Sequence, residues 1–148
     1  MRKEAILSYK MTPEDGNNLG DVIPVGRQLD FWGDAETELM ILVDGDESLC
    51  LGYNDAKFYH EIYVGDQLDI KATLVKVGNT SRTCKLETYK VATPARKNGR
   101  LDADEREVDY LKTPILCAEG YSVLVVKKNL QRGVQPSGIV KDPWKEVE

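Results

Sequence analysis

Histidine occurs once in this chain of 148 residues, at His60, and phenylalanine only twice. The three cysteines, Cys50, Cys84 and Cys117, include no Cys-x-x-Cys pair. One imidazole and three scattered thiols do not make the four-ligand sets of structural zinc, so no metal is expected. An odd, widely spaced set of thiols reads as reduced side chains that fill small gaps in a core, in a cytoplasmic protein. Excess positive charge is lacking too. The 20 Lys and Arg against 25 Asp and Glu leave a net charge of −5. The chain as a whole therefore attracts neither nucleic acid nor an anionic membrane. No apolar run approaches the ~18 residues of a membrane span. Glu4, Ser8 and Lys10 interrupt the first segment, which has no signal-peptide pattern.

What is present is an ordinary globular balance, 41% apolar and 30% charged. Its length suits one domain, placed at residues 1–132, with 133–148 as a tail rich in Gly, Pro and charge. Trp144 is the one aromatic residue of that tail and is expected to dock on a neighbour.

Residues 4–11 alternate and predict a first strand, followed by a polar loop from Thr12 to Gly20. From Pro24 to Val43, Val25, Leu29, Trp32, Ala35, Leu39 and Val43 recur at spacings of three and four. That is a helical stripe of about five turns. Asp30, Asp34 and Glu38 fall on the opposite face, and Asp44-Gly45-Asp46 ends the helix. Gly33 costs a helix interior roughly 1 kcal/mol, which suggests a close approach there. Strands are then expected at Ser48–Tyr53, Lys57–Tyr63, Gln67–Val77, Thr80–Val91 and Ile115–Val126. The charged stretch Ala92–Pro114 reads as an extended excursion, with a short helix allowed at Asp102–Leu111. One amphipathic helix needs a sheet to cover it. The result is an α+β hotdog fold, a long central helix wrapped by a curled antiparallel sheet.

Several runs carry a more specific likeness. Phe31-Trp32-Gly33-Asp34 with Thr37-Glu38-Leu39-Met40, then Asp44-Gly45-Asp46, Tyr63-Val64-Gly65-Asp66, Val77-Gly78-Asn79-Thr80-Ser81 and Gln131-Arg132-Gly133 together resemble the β-alanyl-CoA and 3-aminobutyryl-CoA ammonia lyases. The likeness spans roughly residues 20–133. The Val-Gly-Asp turn and the Gly-Asn-Thr-Ser segment are shared with hotdog acyl-CoA thioesterases. The helix run is the part particular to the lyases. Three places depart from the pattern. Asp15-Gly16-Asn17-Asn18 stands where the lyases carry a loop histidine, Glu36 where they have a small residue, and His60-Glu61 where they have Ala-Pro.

The resemblance implies a lyase of amino-acid fermentation, such as lysine degradation, that releases ammonia from a short β-aminoacyl-CoA. It implies no cofactor beyond the coenzyme A of the substrate, and a homodimer assembling into a hexamer. Thioester hydrolysis, or acyl-CoA binding without turnover, are the other readings. The lyase reaction needs a base for the α-proton, donors for the enolate oxygen and an acid at the departing amine. The helix start offers backbone donors. Asp34 and Glu38, one turn apart, suit a base and an ammonium partner, and equally a solvated face. His60 is an acid/base candidate because imidazole titrates near neutrality. Glu36 falls near the apolar stripe, as a helix-edge residue or a site residue of its own kind. For the phosphates of coenzyme A the candidates are Ser81, Arg82, Lys127, Lys128 and Arg132.

Overall fold

The computed structural model describes residues 3–132. Residues 133–148, with Trp144, lie outside the described residues. Strand β1 (Glu4–Lys10) leads through a 3-10 turn (Pro13–Gly16) into helix α1 (Val25–Asp44). Strands β2 (Leu49–Phe58), β3 (Gln67–Val77), β4 (Ser81–Pro94) and β5 (Val108–Val125) follow. All pairings are antiparallel, in the order β1-β3-β4-β5-β2. The strands that flank the helix in sequence are thus the two edges of the sheet. The helix has to carry the chain from one edge to the other. Its 20 residues reach about 30 Å, against roughly 19 Å across five strands.

Pro24 pre-sets the backbone before the first helical residue, at φ −67°. Gly45 ends the helix in the left-handed region at φ +68°, and its amide bonds Ile41 O. The buried face is Phe31, Trp32, Ala35, Leu39, Met40 and Val43, packed on Leu68, Ile70, Leu74, Leu86 and Leu124 of the sheet. Trp32 is fully buried, and its Nε1 donates to Thr88 Oγ1 at 2.8 Å. Asp30, Asp34 and Glu38 are exposed on the opposite face, as the periodicity required. Val25 is exposed and Leu29 only half-buried, because the stripe meets the sheet only after the first turn.

Several readings of the sequence are corrected. Ser48–Tyr53 and Lys57–Tyr63 are not two strands. One strand, β2, runs through both Asn54 and Lys57, with register breaks at Cys50/Gly52 and Asn54/Lys57. The turn-like Asn54-Asp55 pair marks a bulge, where Asp55 takes φ +52°. The excursion Ala92–Pro114 is largely a two-stranded arm, since Ala92, Thr93 and Pro94 pair with Tyr110, Asp109 and Val108. Its Asp102–Leu111 stretch is turn and strand, with no helix. Cys84 and Cys117 are buried, but Cys50 is exposed. Beyond the helix's own backbone, no described residue comes within 4 Å of a Cβ built on Gly33, so no other backbone makes the close approach expected there.

Arg82 is the largest correction. It is 0% exposed. Its Nε and Nη2 hold the Asp44 carboxylate at 2.8 and 3.1 Å, and Nη1 donates to Gly78 O and Ser81 O. A carboxylate in the last helical turn opposes the helix dipole, and Arg82 neutralises it. The guanidinium is committed to closing the fold and is no ligand for a coenzyme. Removing one member leaves a buried charge without its partner. Arg82→Met or Asp44→Asn is therefore expected to cost about 3–5 kcal/mol, measured by urea unfolding monitored through tryptophan fluorescence.

Candidate functional site

The helix start is docked by a short ladder. Val22 bridges Tyr63, Ile23 N–H bonds Ile62 O at 2.8 Å, and Val64 N–H bonds Asp21 O at 2.8 Å. This ladder sets residues 58–61 against the first helical turn. Between them lies a cavity of about 290 Å³, lined by Val22, Ile23, Pro24, Val25, Gln28, Phe58, Tyr59, His60 and Glu61. The amides of Arg27 and Gln28 both return to Pro24 O. Those of Val25 and Gly26 are left as free donors of the helix end among the described residues. Space is open beside Gly26, with nothing within 4 Å of a built Cβ.

The wall opposite the helix is held from behind. Tyr59 and His60 both direct their amides at Cys117 O, at 2.7 and 3.3 Å. The Lys90 ammonium, nearly buried, reaches Glu61 O and Asp66 Oδ2, each at 3.0 Å. Asp66 is fully buried and also accepts from Tyr63 N–H and the Thr93 hydroxyl. Gly65 takes φ +93°, and any Cβ there would meet the Pro94 ring at 2.6 Å. The Val-Gly-Asp turn is thus the fixture for the His60-Glu61 dipeptide. Gln28 is 4% exposed. Its Nε2 donates to Ile23 O at 3.2 Å, while its Oε1 has no partner.

The loop that departs from the lyase pattern has a structural task. Asp15 accepts from Thr12 N–H, from the Thr12 hydroxyl and from Arg27 Nε at 2.9 Å. Burial works against its charge, but the Thr12 and Arg27 bonds prevail and hold it below the usual carboxylate range. Arg27, in the first helical turn, also pairs with Asp30 and lies 4.7 Å from the Phe31 ring centroid.

Of the residues singled out from the sequence, the cavity gathers His60. Asp34 and Glu38 do not line it. They stand exposed on the outer helix face, with Asp34 accepting from the Tyr9 hydroxyl at 2.9 Å. Ser81, Lys127, Lys128 and Arg132 collect at the other end of the helix. There Lys128 Nζ meets Asn79 Oδ1 at 3.1 Å and Arg132 N–H meets Asp44 O at 2.9 Å. A helix of about 30 Å separates this basic group from His60, so one chain alone does not join them into one cleft. Sequence reasoning missed Gln28 and Glu61 as residues of this cavity; the Glu61 carboxylate accepts from the Tyr63 hydroxyl at 3.0 Å. Gln28 has the look of any polar helix residue, and only its burial marks it. A larger cavity of about 410 Å³ lies on the outer sheet face near Ile6, Tyr89, Val91 and Pro114. It touches neither the helix start nor any of these candidates. Among the described residues no group of three or more His, Cys, Asp or Glu side chains is placed to hold a metal ion. No described helix is long and apolar enough to cross a membrane.

Glu36 is neither at the helix edge nor in the cavity. It is 3% exposed, accepts from the Tyr53 hydroxyl at 2.7 Å, and its Oε2 has no hydrogen-bond partner. Burial pushes its carboxyl pKa up, against the opposing pull of the nearby Ser122, Tyr53 and Cys50 groups. A raised native pKa means that the folded state binds the proton more tightly than the unfolded one. Ionisation of Glu36 therefore destabilises the fold as pH rises above its unfolded value, about 4.3. Glu36→Gln should raise the Tm at pH 8 and lose that gain near pH 4, which thermal melts across that range will show.

The chain is 33% identical over 129 residues to a 3-aminobutyryl-CoA ammonia lyase of Acetoanaerobium sticklandii, covering 87% of this chain and 98% of that one. The β-alanyl-CoA:ammonia lyase from Clostridium propionicum superposes with a TM-score of 0.80 at 36% identity, covering 93% of this chain and 94% of that one. A hexameric hotdog-fold thioesterase of Campylobacter jejuni shares the fold at a TM-score of 0.65 and 17% identity, covering 90% of each chain. No family model matches the chain.

Proposed function

The chain belongs to the family of β-alanyl-CoA and 3-aminobutyryl-CoA ammonia lyases, and we infer that it is a carbon–nitrogen lyase acting on a short β-aminoacyl-CoA. The observation that carries the site is the cavity in which a helix N-terminus with two free amides faces His60 and Glu61. The Val25 and Gly26 amides would donate to the thioester oxygen and stabilise the enolate that forms on it. His60 would take the α-proton. The electron pair of the Cα–H bond then becomes the Cα=Cβ bond, the Cβ–N bond breaks, and ammonia leaves with the pair. It recovers the proton as ammonium. Glu61 would face the departing nitrogen. Side chains and backbone amides suffice for these steps, with coenzyme A present only as part of the substrate. Such a reaction has its place in the fermentation of amino acids.

Incubation with crotonyl-CoA or acryloyl-CoA and ammonium, followed by mass analysis, tests the activity. Addition of ammonia is expected; free coenzyme A thiol instead would show hydrolysis and overturn the lyase. His60→Gln should lower kcat by about 10²–10⁴. Loss of turnover in Asp34→Asn or Glu38→Gln with His60→Gln unaffected would move the chemistry to the outer helix face.

The active form we propose is a homodimer, built further into a hexamer, that joins through β2. That strand is a ten-residue edge, paired among the described residues with β5 alone. It exposes Leu49 at 66% and Leu51 at 63%. An open edge of this kind is a template for pairing with a second copy. Two copies so joined could bring basic residues of one chain toward the cavity of the other. Sedimentation should find the wild-type chain as an oligomer and Leu51→Lys as a smaller species at micromolar concentration.

A further inference from the structure

We propose that Gln28 is the residue that recognises the amino group of the substrate, through a hydrogen bond from the β-ammonium to its side-chain oxygen. The inference rests on the lyase reading and adds to it a determinant of specificity. Gln28 is 4% exposed and lines the cavity at the helix start. Its Nε2 is committed to Ile23 O, a residue of the ladder that docks the helix. The planar carboxamide then turns Oε1 away from Ile23, and that oxygen has no donor. A buried acceptor without a donor is unfavourable and calls for an explanation. The neighbouring side chains of Val22, Ile23, Pro24, Val25 and Phe58 are apolar and can supply no donor. Of the polar residues that share the cavity, the Tyr59 hydroxyl donates to Glu119 Oε2 and no bond joins His60 to Gln28, so the donor is assigned to the ligand.

The geometry of the substrate fits that position. In a β-aminoacyl thioester the nitrogen stands two carbons from the carbonyl carbon. An acceptor for it therefore belongs close to the donors that hold the carbonyl oxygen. Gln28 is within one helical turn of the Val25 and Gly26 amides, and a turn rises 5.4 Å. A neutral acceptor also has a chemical advantage. It gains a charge-assisted bond from an ammonium without becoming a base that competes for its proton.

The test is ammonia addition to crotonyl-CoA by the full chain, with Gln28→Met and Gln28→Glu beside the wild type. Gln28→Met keeps the length and removes the acceptor. Its KM for ammonium should rise about tenfold to a hundredfold, with the KM for crotonyl-CoA changed less than about twofold. Gln28→Glu keeps acceptor oxygens and loses the donor to Ile23. It should retain an ammonium KM within about threefold of wild type. Equal losses in both variants would assign Gln28 to holding Ile23 and overturn the proposal. So would an unchanged ammonium KM in Gln28→Met. A wild type that adds no ammonia would overturn the lyase reading and this inference together. A second measurement needs no variant. On the wild type, 3-hydroxybutyryl-CoA, which carries a donor at the same carbon, should inhibit at least fivefold more tightly than butyryl-CoA, on the order of one hydrogen bond. Equal inhibition would overturn the proposal.

Discussion

A single helix has to span the sheet from edge to edge, because β1 and β2, its neighbours in sequence, are the two outer strands. This constraint decides what each end of the helix must do. The middle is secured by apolar burial of Phe31, Trp32, Ala35, Leu39 and Val43. The ends reach beyond that core and are tied by polar groups instead. At the far end Arg82 grips Asp44. At the near end the Ile23–Ile62 bond, the Val22–Tyr63 bridge and the Gln28 amide fix the first turn. The near end differs in one respect. Its tethers use the residues before the helix, so the first amides stay open toward a cavity.

Rigidity around that cavity comes from the Val-Gly-Asp turn. Asp66 collects Tyr63, Thr93 and Lys90, and Lys90 passes the constraint on to Glu61 O. A buried ion pair of this kind is weak evidence for net stability. Its value here is positional, since the backbone of His60 and Glu61 is held from Cys117 on one side and from Lys90 on the other. Glu36 makes a contrast. It too is a buried carboxylate, but it is met by the Tyr53 hydroxyl and the neighbouring Ser122 and Cys50, and among the described residues no cation pairs with it.

The helix, its solvent face and the strands β1, β3 and β4 were legible because each has clean periodicity and punctuated ends. The arm formed by Ala92–Pro94 and Val108–Tyr110 was not, because charged residues mask alternation where both faces of a ribbon meet water. Strand β2 was split in two by turn-like residues that in fact build a bulge. In the site, His60 was visible by chemistry alone. Arg82 was misread because a basic residue beside a glycine turn looks like a phosphate ligand, and sequence gives no sign that Asp44 waits 38 residues away. Gln28 was invisible, since its meaning depends on what its oxygen lacks.

The order of strands also says something about how the chain reaches this state. The first strand finds its neighbour only in β3, with Ser8 meeting Asp69 across 61 residues, and β2 waits for β5, pairing Leu49 with Val125. Such distant pairings make for slow folding, because loop closure is required before any contact rewards it. The local hairpin of β3 and β4 is the natural nucleus. On the ribosome the first strand and the helix would emerge with no sheet to cover them. Their apolar stripe must stay soluble until most of the chain has been made. The outward row of Asp30, Asp34 and Glu38, whatever else it does, supplies charge to the helix during that interval.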